Sequence, residues 1–453
     1  MSLELEDLAP LGPPDDGSII DQPRHTCSLG ALQTVLAIER AVPILHAGPG
    51  CGQKIWGMIG IQNGGQGSGY TGGHTVPCSN TSEVEVVFGG EEKLRALIAN
   101  SFKVLDADLF AVLTGCTPDL IGDDVGHVVR EFQEEGRPIV WAESGGFRGT
   151  NLQGHEWVLQ AIIEQYLHPS ASIEPGLVNL WAVAPYQDPF WSGVYADLSG
   201  LVASLGLTPN VIFGRGGGVR ALRKVPSAQL NLLVSPWLGL RSVELLQQRF
   251  GTPFLHVPVL PIGPTETTQF LRTLGPHVGV DPARVEETIQ VREDHYYHFI
   301  ERSAEVLLET RFLPRHFTTI ADSTYAIALS KFLVNDLGLI PDRQYVVDGV
   351  TGPDQERVAR LFAPVGEGLS PEVTFTPDGG RVHEELRRTK FRSRPLILGS
   401  SWERALAKEL GGLSLSVSAP VSDRLVFDRS YVGYTGALRL VEDIYSVVLA
   451  DYQ

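Results

Sequence analysis

The chain has 453 residues and a formal net charge of −17, with 43% hydrophobic and 20% charged residues. At about 100–200 residues per domain, this length predicts two to four domains, each able to bury a core without disulfide staples. A surface this acidic, uninterrupted by any Lys/Arg-rich run, excludes binding to nucleic-acid phosphates.

No apolar stretch reaches the about 20 residues needed to cross a bilayer. The start, MSLELEDLAPLGPPDD, is acidic and lacks the basic-plus-apolar layout of a signal peptide, so a cytosolic protein with no membrane partner is expected. Residues 1–23 are Pro-rich without periodicity and read as an extended arm. Residues 31–40 predict a helix, and 42–46 a strand running into the turn Ala47-Gly48-Pro49-Gly50-Cys51-Gly52. Residues 60–75 are Gly-rich and irregular. A helix is predicted over 91–100, a buried parallel strand over 109–114 ending at Cys116, a helix over 121–136 and a strand over 138–142 that ends at Glu143-Ser144-Gly145-Gly146.

The same rhythm then restarts. Strands are predicted over 178–184, 209–213 and 230–234, with a helix over 195–205. A long helical segment covers 281–311. Strands over 316–321, 344–350 and 395–399 follow, with a helix over 324–337. Repeated strand–helix units of this kind predict an α/β fold of doubly wound parallel sheets with helices on both faces. The expected domains are 24–175, 176–280 and 281–417, with a C-terminal segment 418–453 returning to the first.

All four cysteines lie before residue 120. A reducing cytosol disfavours disulfides, so the clustering asks for another explanation. Soft sulfide-bridged iron prefers thiolates, and the wide spacing of Cys27, Cys51 and Cys116 requires the tertiary fold to assemble such a site. Spacing by itself leaves a second reading open, that of buried small hydrophobes. In open α/β sheets ligands sit beyond the carboxyl ends of the strands. Cys51, Cys116 and Ser144 each follow a predicted strand and Cys27 precedes a predicted helix, so these residues can meet.

The local sequences are more specific. Arg24-His25-Thr26-Cys27-Ser28-Leu29-Gly30-Ala31, His46-Ala47-Gly48-Pro49-Gly50-Cys51-Gly52, EVEVVFGG at 83–90 and Thr114-Gly115-Cys116-Thr117-Pro118-Asp119-Leu120-Ile121-Gly122-Asp123-Asp124 resemble the catalytic component of nitrogenases, in the family's order. Ser235-Pro236-Trp237, Pro261-Ile262-Gly263, Ala419-Pro420-Val421-Ser422-Asp423-Arg424 and Tyr431-Val432-Gly433-Tyr434-Thr435-Gly436-Ala437 extend the resemblance over nearly the whole chain.

The resemblance implies three Rossmann-like domains of the nitrogenase component 1 type. It also implies a partner α-like (D-type) subunit in an α2β2 heterotetramer. Three Cys from each subunit would hold an eight-iron, 8Fe-7S P-cluster at the shared interface, and here those are Cys27, Cys51 and Cys116, with Cys51 as the bridging ligand. Ser144 stands where a Ser in some β subunits ligates the oxidised cluster, although ESGGFRG around it is α-like; its other reading is a turn-capping Ser. Ser235-Pro236-Trp237 occupies the place of the α-chain's cofactor Cys, and no Cys follows Cys116. The chain therefore resembles the β (K-type) subunit. An FeMo-co-like or all-iron cofactor is expected in the partner, and an ATP-dependent homodimeric iron protein is expected to supply electrons.

The chain is short for a molybdenum-type β subunit and lacks that type's long N-terminal extension. The Gly-rich 62–73 segment and the mixed motifs look more like nitrogenase-like methylthio-alkane reductases, which cleave C–S bonds to methanethiol and a hydrocarbon. A dinitrogen reductase β subunit and a cofactor-assembly scaffold are the alternatives.

Other motifs read as structural. Cys78 is a spare thiol, and His295 and His298 in HYYH are surface or packing residues. Phe213-Gly214-Arg215-Gly216-Gly217-Gly218 lacks both the dinucleotide fingerprint and the P-loop Lys, and reads as a tight turn. Asp123 and Asp124 are expected to charge the first turn of the following helix.

Overall fold

The computed structural model describes residues 20–55, 57, 60–67, 76–304, 313–363, 365–366, 369 and 371–451. Most of the expected arm, the Gly-rich stretch from 68 to 75 and the end of the 281–311 helical segment lie outside these residues.

The first sheet has three parallel strands in the order β1-β2-β3: β1 (Ala41–His46), β2 (Leu109–Thr114) and β3 (Ile139–Ala142). The central β2 is buried along its whole length, as its apolar sequence requires. Alternation divides the side chains between two faces. Ile44, Phe110, Val112 and Ile139 pack with Leu94 and Ile98 of the helix Glu91–Val104 and with Val128, Val129 and Phe132 of the helix Val125–Glu134. Leu45, Ala111, Leu113 and Val140 face the other way, into the main core shared with Val158, Leu159 and Ile162 of the helix Asn151–Gln165. Each such fully buried Leu, Ile, Val or Phe contributes about 1.5–3 kcal/mol.

The second sheet orders β4 (Glu174–Trp181), β5 (Thr208–Asn210), β6 (Ala228–Val234) and β7 (Phe254–Val257) as β5-β4-β6-β7. The third is built on β8 (His316–Ala321). Its other strands are β9 (Ile340–Pro341), β10 (Gln344–Val346), β11 (Val373–Phe375), β12 (Leu396–Gly399) and β13 (Leu413–Ser416), in the order β11-β10-β8-β12-β13, with β9 on the start of β8. Every pairing between these strands is parallel, so the molecule is an α/β protein of parallel sheets. No helix among the described residues is long and apolar enough to cross a membrane.

Several elements differ from the sequence-based expectation. The 121–136 helix is two helices, Cys116–Ile121 and Val125–Glu134. Gly122 ends the first in the left-handed region (φ 78°), and Asp124 restarts the chain by accepting from His127 N–H at 2.8 Å. The 31–40 helix is a 3-10 turn, Ser28–Ala31, followed by a short helix, Leu32–Leu36. The 344–350 strand stops at Val346, and the 209–213 strand closes at Asn210. The Gly-rich 213–218 turn is wedged against the first unit: Gly214 N–H donates to Ala37 O and Val219 N–H to Glu39 O.

Between the sheets lies a buried carboxylate, Asp188, which accepts from Phe190 N–H (2.6 Å) and from Tyr325 OH (3.1 Å). Burial, reinforced by Asp322, pushes its acid from the ordinary 3.8 up to about 7. An acid whose folded value lies above its unfolded value loses stability as pH rises between the two, here from about 4 to about 7, with no further loss above. Asp188→Asn mimics the protonated acid and still accepts both bonds. Its melting temperature is expected to exceed that of the wild type at pH 8, by an amount on the order of a few kcal/mol in stability, and to converge on it near pH 4. A constant offset across that range would show that Asp188 ionisation is not the cause.

Candidate functional site

The loops at the carboxyl edge of the first sheet are locked to one another by small residues. Gly115, which follows β2, donates its N–H to His46 O at the end of β1 (2.8 Å). A side chain at Gly115 would strike Ala47 Cβ at 2.7 Å, so the two strand-end loops meet at van der Waals distance. Cys51 opens the helix Cys51–Ile55 after β1, and Cys116 opens the helix Cys116–Ile121 after β2. Cys27 forms an antiparallel bridge with Thr150 in the loop after β3, and Ser28 N–H donates to Gly149 O.

These loops bring thiols together. A Cβ added to Gly146 would lie 2.9 Å from Cys27 Cβ, 3.2 Å from Cys116 Sγ and 3.4 Å from Cys27 Sγ. Gly146 N–H donates to Cys116 Sγ at 3.1 Å, the kind of backbone donor that stabilises a thiolate. Cys51 is near enough to Cys27, Cys78 and Cys116 for their ionisation to oppose its own. Burial, and then the neighbouring thiols, push the Cys51 thiol up; burial is also the main cause raising Cys27. Thiols so placed stay protonated at neutral pH unless a cation compensates the thiolate.

Ser144 is fully buried, and its hydroxyl donates to Thr114 O at 2.9 Å while its N–H donates to Thr114 Oγ1 at 2.8 Å. It fastens the ends of β2 and β3 together. The member of that loop in contact with the cysteines is Gly146. Cys78 lies behind the Cys51 turn, with its Sγ 3.4 Å from Ala47 O and accepting from Asn80 N–H at 3.5 Å. Burial raises its thiol as well.

A polar strut that the sequence motifs do not foretell lies below this turn. His46 is wholly buried, with Nε2 2.9 Å from Asp123 Oδ2 and Nδ1 3.0 Å from Ser79 Oγ. Ala47 N–H donates to Ser79 Oγ, and Gly90 N–H to Asp123 Oδ1. Burial lowers the His46 pKa against the opposing pull of Asp123, so the imidazole is neutral and serves as a hydrogen-bond brace. Asp123 thus braces the turn instead of charging the next helix, and Asp124 alone caps that helix. The signal available was His46 at the buried end of an apolar strand.

The edge is rimmed by exposed apolar side chains. The helix Glu83–Phe88 buries none of its residues and exposes Val84, Val86, Val87 and Phe88, the last 84% accessible. Leu120 and Phe147 flank Cys116 and Gly146 and are also exposed. Contiguous apolar exposure of this kind marks an interaction surface. Among the described residues no three His, Cys, Asp or Glu side chains converge tightly enough to hold a single metal ion. At the end of β6 the buried residue is Ser235, and nearby Trp237 Nε1 donates toward Ser323 Oγ and Asp348 Oδ2.

Residues 26–449 match the family of nitrogenase component 1 type oxidoreductases. The chain belongs to this family. It is 24% identical to the nitrogenase molybdenum-iron protein beta chain of Clostridium pasteurianum over 94% of this chain and 93% of that one. It is 25% identical to one component of the light-independent protochlorophyllide reductase of a Synechococcus strain, over 79% of this chain and 70% of that protein. Its fold superimposes on the structure "Nitrogenase Cp1 at pH 6.5" with a TM-score of 0.80 at 19% identity, covering 99% of this chain and 97% of that one.

Gly146 offers a local probe of this thiol edge. Gly146→Ala places a methyl against both Cys27 and Cys116 while lying on a partly exposed loop. Its unfolding midpoint is expected to stay within about 1 kcal/mol of the wild type in stability. Iron bound by the anaerobically purified complex is expected to fall sharply. Full iron retention would show that the space beside Gly146 is not needed.

Proposed function

We propose that this chain is the β-type, electron-relaying subunit of a nitrogenase-like reductase. In this reading Cys27, Cys51 and Cys116 are its half of the ligand set of an interfacial 8Fe-7S P-cluster, with Cys51 in the bridging position. The observation that carries it is that Cys27 and Cys116 close on the Gly146 backbone at one sheet edge, with the Cys51 turn on the adjoining strand-end loop and exposed apolar side chains beside them. The residues suit the group. The donors are soft, Gly146 provides a backbone donor, and a Cβ built on Gly48 or Gly50 meets nothing within 4 Å, so the Cys51 turn borders open space. Bound there, a P-cluster supplies one-electron storage and relay.

The chain's own part is to fix the donors. The His46–Asp123–Ser79 brace orients the Cys51 turn, and the bonds between Ser144 and Thr114 hold the Cys116 loop to the loop after β3. Rigid placement keeps reorganisation small during electron transfer. As a serinate ligand, Ser144 would give up the hydrogen it donates to Thr114 O. The partner's cysteines complete the set, the substrate-reducing cofactor sits in the α-like partner, and an ATP-dependent iron protein docks over the shared interface. We take 24–175, 176–280 and 281–417 as the domains, one around each sheet.

For the substrate, reduction of dinitrogen is the better supported reading, because similarity to the C. pasteurianum β chain runs the length of both chains. Reductive C–S cleavage of methylthio-alkanes is the second, favoured by the Gly-rich 62–73 segment and the α-like ESGGFRG around Ser144. Ammonia formed from dinitrogen, against methanethiol formed from a methylthio-alkane, separates them in the purified complex.

Cys51→Ala is expected to remove the P-cluster iron and its spectroscopic signal while the partner's cofactor survives. Retention of both would overturn the assignment.

A further inference from the structure

The residues just before Cys27 bind outside the first sheet's unit. Arg24 is buried; it donates to Ser400 Oγ at 2.7 Å, contacts both carboxylate oxygens of Glu403 and lies over the Trp402 ring at 5.1 Å. Glu403, just after β12, also accepts from Ser400 N–H at 2.7 Å and lies 2.9 Å from His383 Nε2. Burial raises this acid, but His383 and Arg24 outweigh burial and hold it at about 2, so the carboxylate stays charged. His25 Nε2 sits 3.0 Å from Asp322 Oδ1 at the carboxyl end of β8. Thr26 N–H then donates to Asn151 Oδ1 at 3.1 Å, and the bridge between Cys27 and Thr150 follows.

The Cys27 thiol is thus tethered upstream to the third sheet and downstream to the first. Cys51 and Cys116 differ: their turns close on the first sheet, through Cys51 N–H to Gly48 O and Gly115 N–H to His46 O. A buried ion pair is a poor source of net stability, since desolvation offsets most of its attraction. Two of them on consecutive residues, next to one thiol, supply position.

We propose that Glu403 and Asp322 are positioning residues that set the Cys27 thiol relative to Cys51 and Cys116 from the third sheet. The proposal rests on the reading of these thiols as cluster ligands. It makes the distance between the first and third sheets a determinant of the cluster's environment.

The test compares the wild-type complex with Glu403→Gln/Asp322→Asn, and with the single Asp322→Asn should the double variant not fold. A structural control is Asp443→Asn, whose partners Arg424, Arg429 and Tyr431 lie on the C-terminal segment. In iron-stripped samples, iodoacetamide alkylation is followed at each cysteine by mass spectrometry. Cys27 is expected to react about tenfold faster in the clamp variants, because removing one partner leaves a buried charge uncompensated, with Cys51 and Cys116 unchanged. Asp322→Glu, which keeps the carboxylate, is expected to stay near the wild type. In iron-loaded samples the midpoint potential of the iron–sulfur signal is expected to shift at constant iron content. Unchanged Cys27 reactivity, or equal acceleration at all three thiols reproduced by Asp443→Asn, would overturn the proposal. The alkylation arm needs no iron, so an iron-free wild-type complex would overturn the cluster reading alone.

Discussion

Ser28 Oγ lies 2.9 Å from Ser144 O and 2.8 Å from Gly145 O, and its hydrogen is shared between the two carbonyls. This contact fastens the Cys27 turn to the loop after β3. That loop in turn carries Gly146 between Cys27 and Cys116. Close approach of backbone to backbone is the constraint on which the site depends. The crossing helix meets it too: Gly154 packs directly against the Ser28 carbonyl, where a side chain has no room. Gly115, Gly146 and Gly154 are therefore parts of one device. They let three strand-end loops and one helix approach until thiols far apart in sequence share a common edge.

How much of this was legible in the sequence follows from what each residue depends on. Strands β2 and β3 are almost continuous apolar runs and largely buried, and such runs declare themselves. The edge strands β7, β11 and β13 are three or four residues long. Their pairing is decided by neighbours in space, which no local pattern encodes. The break at Gly122 was readable in principle, since a Gly followed by Asp-Asp is a stop and a restart. The resemblance pointed to the cysteines, and the structure brings them to one edge. Ser144 shows the limit: its position after a strand is visible in the sequence, whereas the direction of its hydroxyl, toward Thr114 O, depends on β2 lying beside β3. Asp123 departs from the helix-charging role expected of it for the same reason. Its partner is His46, 77 residues earlier.

Charge is distributed with a purpose that composition hides. The net −17 resides largely on the surface. Three buried polar pairs stand out: the ion pairs of Arg24 with Glu403 and His25 with Asp322, and the hydrogen bond of the neutral His46 with Asp123. All three pairs lie on segments that lead into a cysteine turn. Hydrophobic replacements of equal volume would serve stability as well. Directional bonds do what apolar packing cannot, which is to hold a turn at one angle.

The apolar rim completes the logic of a site built in halves. The proposed eight-iron core would need more thiolates than the three of this chain, and Cys116 is exposed in the isolated chain. A thiolate-bound cluster left in water would be open to oxidants and would carry a large reorganisation cost. Val87, Phe88, Leu120 and Phe147 are exposed at the edge where the set is incomplete. In the proposed assembly, a second subunit covering them would remove water from the thiols in the same step that supplies the remaining donors. Burial of the rim and completion of the ligand set would then be one event, and the proposed reading couples the free energy of assembling the dimer to that of holding the cluster.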